Sequence, residues 1–415
     1  MRLLPTRGQR RKSAVKGAVK GAITFPLELQ FLVLDQLSDD DLELRRLCTT
    51  CKAWANHIQR IIFRHIWVTS ATTPRLVRLF LNKPHLGKYV QVVTVVESAS
   101  FASIELLFVW LSDVLPNLQT LDILRCSFGA DIFPLQQSVL VKITYLRLRS
   151  AQFTSGETLL QFIGLFPRLE GLDLSGHCAA YGRALTPPTS SLQPPRRLRY
   201  LACNATFHGV LMKWLARGPV IVDELYITGR GGNNGELEDF LLKVGDGVKH
   251  LRLTAPPWPS PQLDAIVIPP FPSLHSLEVD LHLLNPAVFY WDTTLPAIDL
   301  EGGFLYLLKQ LLSPALSTMY FDTFVAPAHL DLPWDKLDAI LTRFSSLEEV
   351  IFDLYGHINL TGGTKCGHVD LPTYADLCRG MRKAMPRSDA RGILKFRCAG
   401  KGPPPQSRLL RDVFC

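Results

Sequence analysis

No stretch of this 415-residue chain approaches the roughly 18–20 consecutive apolar residues that a membrane-spanning helix requires, so no membrane partner is expected. Motifs of chemistry are absent too. There is no Gly-x-x-x-x-Gly-Lys-Ser/Thr loop, no Gly-x-Gly-x-x-Gly after a strand, no Gly-x-Ser-x-Gly and no His-Glu-x-x-His. The run Gly229-Arg230-Gly231-Gly232-Asn233-Asn234-Gly235 lacks the Lys and Ser/Thr that grip phosphate and magnesium, and reads as a turn. Cys48-Thr49-Thr50-Cys51 has zinc-knuckle spacing, but its nearest second pair, Cys366-Gly367-His368, lies about three hundred residues away. No metal, no cofactor and no catalytic residue is expected. Nine scattered cysteines, without an apolar signal stretch near the start, point to reduced thiols in the cytoplasm or nucleus.

Acidic residues are missing from the first 27 positions, where Arg2, Arg7, Arg10, Arg11, Lys12, Lys16 and Lys20 supply seven positive charges. Subtracting those seven from the net +8 leaves the rest of the chain near +1, which argues against a broad nucleic-acid-binding face. The leader, 1–23, reads as a solvated disordered tail, a nuclear-import patch around Arg10-Arg11-Lys12, or an Arg-rich presequence.

What is present begins with a compact helical block. Phe25-Pro26 opens a helix, because proline has its φ already set and lacks only an N–H that would be unpaired there anyway. Leu29, Leu32, Val33 and Leu37 follow at helical steps on one face. Ser38-Asp39-Asp40-Asp41 breaks the pattern and offers side-chain oxygens to cap a second helix with Leu42, Leu44 and Leu47. A third segment carries Trp54, Ile58, Ile62 and Phe63. Three helices this short bury little, and such a module docks on something else.

The ordered set Phe25-Pro26, Glu28-Leu29, Leu32 to Leu37, Ser38, Asp41-Leu42 and Cys51-Lys52-Ala53-Trp54 resembles an F-box over residues 24–66. It departs from that family in a stretch before Cys51 that is about two residues longer, and in Thr50, where an aliphatic residue is usual. A generic helical cap with no dedicated partner is the competing reading.

From about residue 86 a second pattern recurs: apolar, two residues, apolar, one residue, apolar. Its middle positions, 93, 121, 146, 172, 201, 225, 251 and 277, are separated by 28, 25, 26, 29, 24, 26 and 26 residues, then continue at 319, 350 and 394. A near-constant step of this size is what stacked repeats require. Helical spacing appears between the copies, at Gly156–Phe166, Gly209–Ala216, Glu236–Val244, Gly303–Leu312, Asp335–Phe344 and Tyr374–Met385. Each strand–helix unit buries its apolar side only by stacking on the next. The pattern resembles an irregular leucine-rich repeat. The expected fold is therefore α/β: a three-helix F-box-like module, then a leucine-rich-repeat-like horseshoe solenoid over 67–400, with a tail at 401–415. An ordinary α/β domain with coincidental leucines is the alternative. Loops at Tyr181–Arg197, Gly229–Gly235 and Pro256–Pro272 interrupt the array.

In such strands the residues alternating with the buried aliphatics line the concave face. They include Tyr145, Arg147, Arg149, Tyr226, Arg252, Glu278, Asp280 and Asp322, a face that runs from basic and aromatic to acidic. These are the expected substrate-binding residues.

An F-box followed by leucine-rich repeats resembles the substrate receptors of SCF-type ubiquitin ligases. The resemblance implies that Pro26, Leu29, Leu32, Leu42, Cys51 and Trp54 form or support the face for a Skp-class adaptor, and through it a cullin ligase. The repeats would hold an unidentified protein substrate, and the ligase chemistry would belong to partner subunits. The rivals are a leucine-rich-repeat scaffold or inhibitor outside the ubiquitin system, and an enzyme on an irregular α/β fold.

Overall fold

The computed structural model describes residues 25–38, 40–96, 114–128, 140–174, 179–180, 193–204, 208–228, 234–254, 268–280, 304–324, 334–355 and 371–398. The basic leader, the tail at 401–415, the Cys366/His368 pair and most of the three expected loops (181–192, 229–233, 256–267) lie outside the described residues. The chain divides into two compact units, 1–62 and 63–415.

The first unit is helical. α1 (Leu27–Gln36) starts at Pro26, whose carbonyl accepts the Gln30 N–H at 3.1 Å. α2 (Asp41–Leu47) is capped by the Asp40 carboxylate, which accepts the Glu43 N–H at 3.0 Å and so satisfies one unpaired donor of the first turn. α3 (Lys52–Arg64) begins beside Cys51, whose Sγ accepts the Trp54 N–H at 3.5 Å. Leu34, Leu44 and Ile58 form the core, flanked by Phe31, Leu37, Leu47, Trp54, Ile61 and Ile62. The Phe31 and His57 rings stack at 4.1 Å, and His57 reaches the Asp35 carboxylate at 2.8 Å.

The second unit is an α/β solenoid. Its strands are β1 (His65–Val68), β2 (Val92–Val96), β3 (Thr120–Leu124), β4 (Ser127–Phe128), β5 (Tyr145–Arg149), β6 (Gln152–Phe153), β7 (Gly171–Leu174), β8 (Ala179–Ala180), β9 (Tyr200–Asn204), β10 (Glu224–Thr228), β11 (His250–Thr254), β12 (Ser276–Asp280), β13 (Thr318–Phe324), β14 (Glu349–Tyr355) and β15 (Leu394–Cys398). Among the described residues twelve of them form one parallel sheet in chain order, β1-β2-β3-β5-β7-β9-β10-β11-β12-β13-β14-β15, and β4-β6-β8 form a second. The helices are α4 (Thr73–Asn82), α5 (Pro84–Gly87), α6 (Gly156–Gly164), α7 (His208–Leu215), α8 (Asn234–Val244), α9 (Phe304–Gln310), α10 (Trp334–Leu341), α11 (Leu371–Ala384) and α12 (Pro386–Ala390). Each helix anticipated from apolar spacing is present within a few residues of its expected bounds.

The middle apolar positions of the repeat pair directly across the sheet: Val93 with Leu121, Leu121 with Leu146, Leu146 with Leu172, and so on to Met319, Val350 and Leu394. They and the aliphatics two residues on make one continuous core. At its far end Phe321, Phe352 and Phe396 stack at 5.0 and 5.6 Å. From β3 to β14 of the main sheet, the start of each unit repeats a hydrogen-bond device in which one carbonyl accepts two successive N–H groups at the head of the next strand. Gln119 O accepts from Thr144 at 2.9 Å and Tyr145 at 3.1 Å, and Lys249 O accepts from His275 at 2.9 Å and Ser276 at 3.1 Å. These bonds lock the register that the sequence period implies.

The array begins earlier than expected. β1 is already a member, with Ile66 opposite Val93 and Val68 opposite Val95, and the division of the chain falls at Ile62 rather than at residue 66. Phe63-x-x-Ile66-x-Val68 carries the repeat pattern, but Phe63 also continues the helical spacing of α3.

Candidate functional site

In the helical unit, burying Leu34 points the opposite side of α1 at solvent. Leu29, Leu32 and Val33, three and four residues apart, make an apolar stripe there, with Phe25 and Leu27 also exposed. Leu32 is 59% exposed, and Leu42 on α2 is 72% exposed. The face read from the sequence as an amphipathic stripe is thus the outer one, while Leu37, expected with it, packs at the core. Of the residues expected at an adaptor face, Pro26, Leu29, Leu32, Leu42 and Cys51 are exposed. Trp54 is part-buried against the core, and its indole N–H donates to Gln30 Oε1 at 2.6 Å. It props the module from within. Water contact with a row of large apolar side chains on a unit this small is unfavourable.

In the solenoid the residues facing away from the core fall into registered rows. The central row is Trp67, Thr94, Asp122, Arg147, Asp173, Ala202, Tyr226, Arg252, Glu278, Tyr320, Ile351 and Lys395. Its charges pair within the row and with the rows on either side. Arg147 Nε donates to Asp173 at 2.9 Å. Arg252 bonds Glu278 at 3.1 Å and Asp322 at 3.4 Å, with its guanidinium 5.6 Å from the centre of the Tyr226 ring. Arg149 donates to both carboxylate oxygens of Asp122, Nε to Oδ1 at 3.1 Å, and Lys395 pairs with Glu349. Thr94 Oγ1 links this network to His65, which lies 2.8 Å away.

Asp122 and Asp173 are not among the residues expected at the site, although both alternate with core aliphatics as those residues do. They change its character. The first half of the face is a set of ion pairs, not an open basic surface. Tyr145 and Asp322 are also less available than their positions suggest, at 6% and 2% exposure. Tyr145, Tyr200 and Tyr226 pack in succession, with ring centres 5.7 and 5.3 Å apart. Burial, and then the nearby Asp173, push the Tyr145 phenol well above its ordinary range, so it stays neutral and serves the wall of the face. Burial likewise raises the Cys203 thiol, which is a core group. Asp280 is placed by backbone register opposite Asp322, and its side chain lies outside the described set. Arg149, Tyr226, Arg252 and Glu278 keep partial access.

Among the described residues no group of three or more His, Cys, Asp or Glu could hold a metal ion, and no helix is long and apolar enough to cross a membrane.

No protein-family model matches the chain, and no curated protein matches it in sequence. Among solved structures it is similar to the leucine-rich repeat-containing protein LegL7 from Legionella pneumophila, at 17% identity and a TM-score of 0.40, over 78% of this chain and 98% of that one. A second is the complex of Rad7 and Elc1 in yeast, at 13% identity and a TM-score of 0.29, over 84% of this chain and 99% of that one. Both superpositions are too loose to carry a residue's role across. The leucine-rich-repeat-like character of the solenoid rests on its own strand order, register and period.

Proposed function

We propose that this chain is the substrate-recognition subunit of an SCF-type ubiquitin ligase, a non-catalytic receptor whose helical module docks a Skp-class adaptor and whose solenoid holds the target protein. The observation that carries this reading is the exposed apolar stripe Leu29, Leu32 and Val33, with Leu42, on a module whose core is already satisfied by Leu34, Leu44 and Ile58. The resemblance to an F-box implies that Leu29, Leu32 and Leu42 belong to the adaptor face. In this mechanism the chain makes and breaks no bond. It couples two binding events, so that a ligase held by one unit sits at high effective concentration near a target held by the other.

The test is co-purification of the full chain with a Skp-class adaptor, comparing wild type with Leu29→Ala/Leu32→Ala. Both leucines are exposed, so the pair should leave folding intact while abolishing capture of the adaptor. Adaptor capture undiminished by the pair, or no capture by wild type, would leave the repeat body as a scaffold outside the ubiquitin system.

A further inference from the structure

The corner of the recognition face built by β1, β2, β3 and β5 differs from the rest. Trp67, in the central row on β1, is 54% exposed. Beyond it in the next row stand Val96 and Leu124, both half-buried, and then Arg149, which pairs directly with Leu124 across the sheet. These make a short apolar strip that ends in a cation. The Arg149–Asp122 ion pair is lopsided in access: the guanidinium side chain is 37% exposed, whereas the carboxylate is 4% exposed. A ligand approaching this corner therefore meets the positive partner, while the negative one is shielded beneath it. The deeper Arg147–Asp173 pair offers little of either sign, at 12% and 8%.

Arg125 adds a second cation. It directly follows Leu124, is exposed, and sits in the left-handed region with φ 57°, its N–H donating to the Arg149 carbonyl at 2.8 Å. Glycine adopts that conformation without a Cβ penalty, whereas other L-residues are strained in it. The chain keeps a long charged side chain at a backbone position that favours none. Backbone strain held beside a half-exposed arginine, at the end of a strip that starts at a partly exposed tryptophan, is the arrangement expected of a contact site.

We infer that Trp67, Leu124, Arg125 and Arg149 anchor an extended segment of the target protein that carries a bulky apolar side chain and an acidic one. This rests on the receptor reading above and gives its substrate a chemistry. Trp67 and Arg149 stand three strands apart and two residues out of register, about 16 Å at the usual strand and residue spacings, which an extended chain covers in about five residues. The apolar side chain lies on Trp67 and the carboxylate meets Arg149 and Arg125 about five positions away.

The test pans a phage-displayed random dodecapeptide library against the full-length chain, then measures the enriched peptides, fluorescein-labelled, by fluorescence anisotropy. The enriched sequences should share a large apolar residue and an Asp or Glu about five positions apart. Trp67→Ala should weaken them by about tenfold or more. Arg125→Gly separates binding from folding, because it should bind severalfold more weakly while its thermal midpoint stays level or rises. No enrichment, enriched peptides without an acidic residue, or wild-type affinity in both variants would overturn the inference. Adaptor capture, measured on the same preparations, moves independently: its loss with peptide selection intact would sink the ligase reading and leave this site standing.

Discussion

The ring of Tyr145 fills the space that Gly171 leaves open on the neighbouring strand. A Cβ at residue 171 would stand 2.3 Å from Tyr145 Cδ2 and 2.6 Å from Cε2, far inside contact distance. The two residues pair directly in the register of β5 and β7, so the ring cannot lean away without leaving Tyr200, 5.7 Å beyond.

Gly171→Ala should therefore destabilise the solenoid by about 1–3 kcal/mol, the usual cost of overpacking a filled site. The effect should be strongly non-additive with Tyr145→Ala, because removing the ring removes the clash. Urea denaturation of the two single variants and the double variant measures this, and additive losses would show that the ring is not the obstacle.

Ser150, directly after β5, holds φ at 52°, the same left-handed turn that Arg125 makes after β3. Ser150→Gly relieves a penalty of about 1 kcal/mol, offset in part by the greater freedom of glycine in the unfolded chain. Ser150→Val should lose more than 1 kcal/mol, since a β-branched residue is poorly tolerated there. The ranking Gly ≥ Ser > Val in thermal midpoint is the expected result, and Val equal to Ser would contradict it.

At the C-terminal end, Asp338 on α10 is buried and receives three hydrogen bonds from the start of α12. The Arg387 N–H reaches Oδ2 at 3.0 Å, while the Ser388 N–H and hydroxyl reach Oδ1 at 2.9 and 2.6 Å. Arg391 fastens the same segment from the other side, donating to the carbonyls of Phe344 at 3.2 Å and Leu347 at 2.9 Å. Asp338→Ala leaves buried donors unpaired and should cost about 2–3 kcal/mol. Each repeat contacts only its neighbours, so the loss should be local. Hydrogen exchange should quicken across 371–398 while β2 to β9 keep their protection, and uniform quickening would count against the nearest-neighbour picture.

Most of the solenoid was legible because the repeat writes the core twice per strand. Leu121, Leu146, Leu172 and Leu201 pair in space at the positions where the 26-residue step put them. β1 escaped because Phe63, Ile66 and Val68 fit two periods at once, and the helical one had been started by Trp54 and Ile58. On α1 the spacing of Leu29, Leu32 and Val33 identified a face but not its direction, since a stripe for a partner and a stripe for the core share one period. Only the alternative set of Phe31, Leu34 and Leu37 tells them apart, and that needs α2 and α3 in place. The charges on the outward strand face were half legible. Alternation places Asp122 and Asp173 beside Arg149 and Arg147, yet which member of each pair stays exposed depends on packing that no single strand encodes.

His65 gives the solenoid a pH dependence of definite sign. Burial holds its imidazole below the ordinary value of 6.5, opposed by the Asp122 carboxylate and reinforced by the Arg149 and Arg147 guanidiniums. Thr94 Oγ1 lies 2.8 Å from its ring and the Trp67 ring centre 5.5 Å away. With the folded value depressed, the unfolded chain takes up the proton first. The contribution of His65 to stability is thus fully present above about pH 6.5 and shrinks as the pH falls towards the folded value. Denaturant midpoints between pH 8 and 5 should decline less steeply for His65→Gln than for wild type, because glutamine keeps a hydrogen-bonding group but takes up no proton. Parallel curves would assign the acid sensitivity to other groups, and a steeper curve for the variant would mean that Asp122, not burial, governs the imidazole.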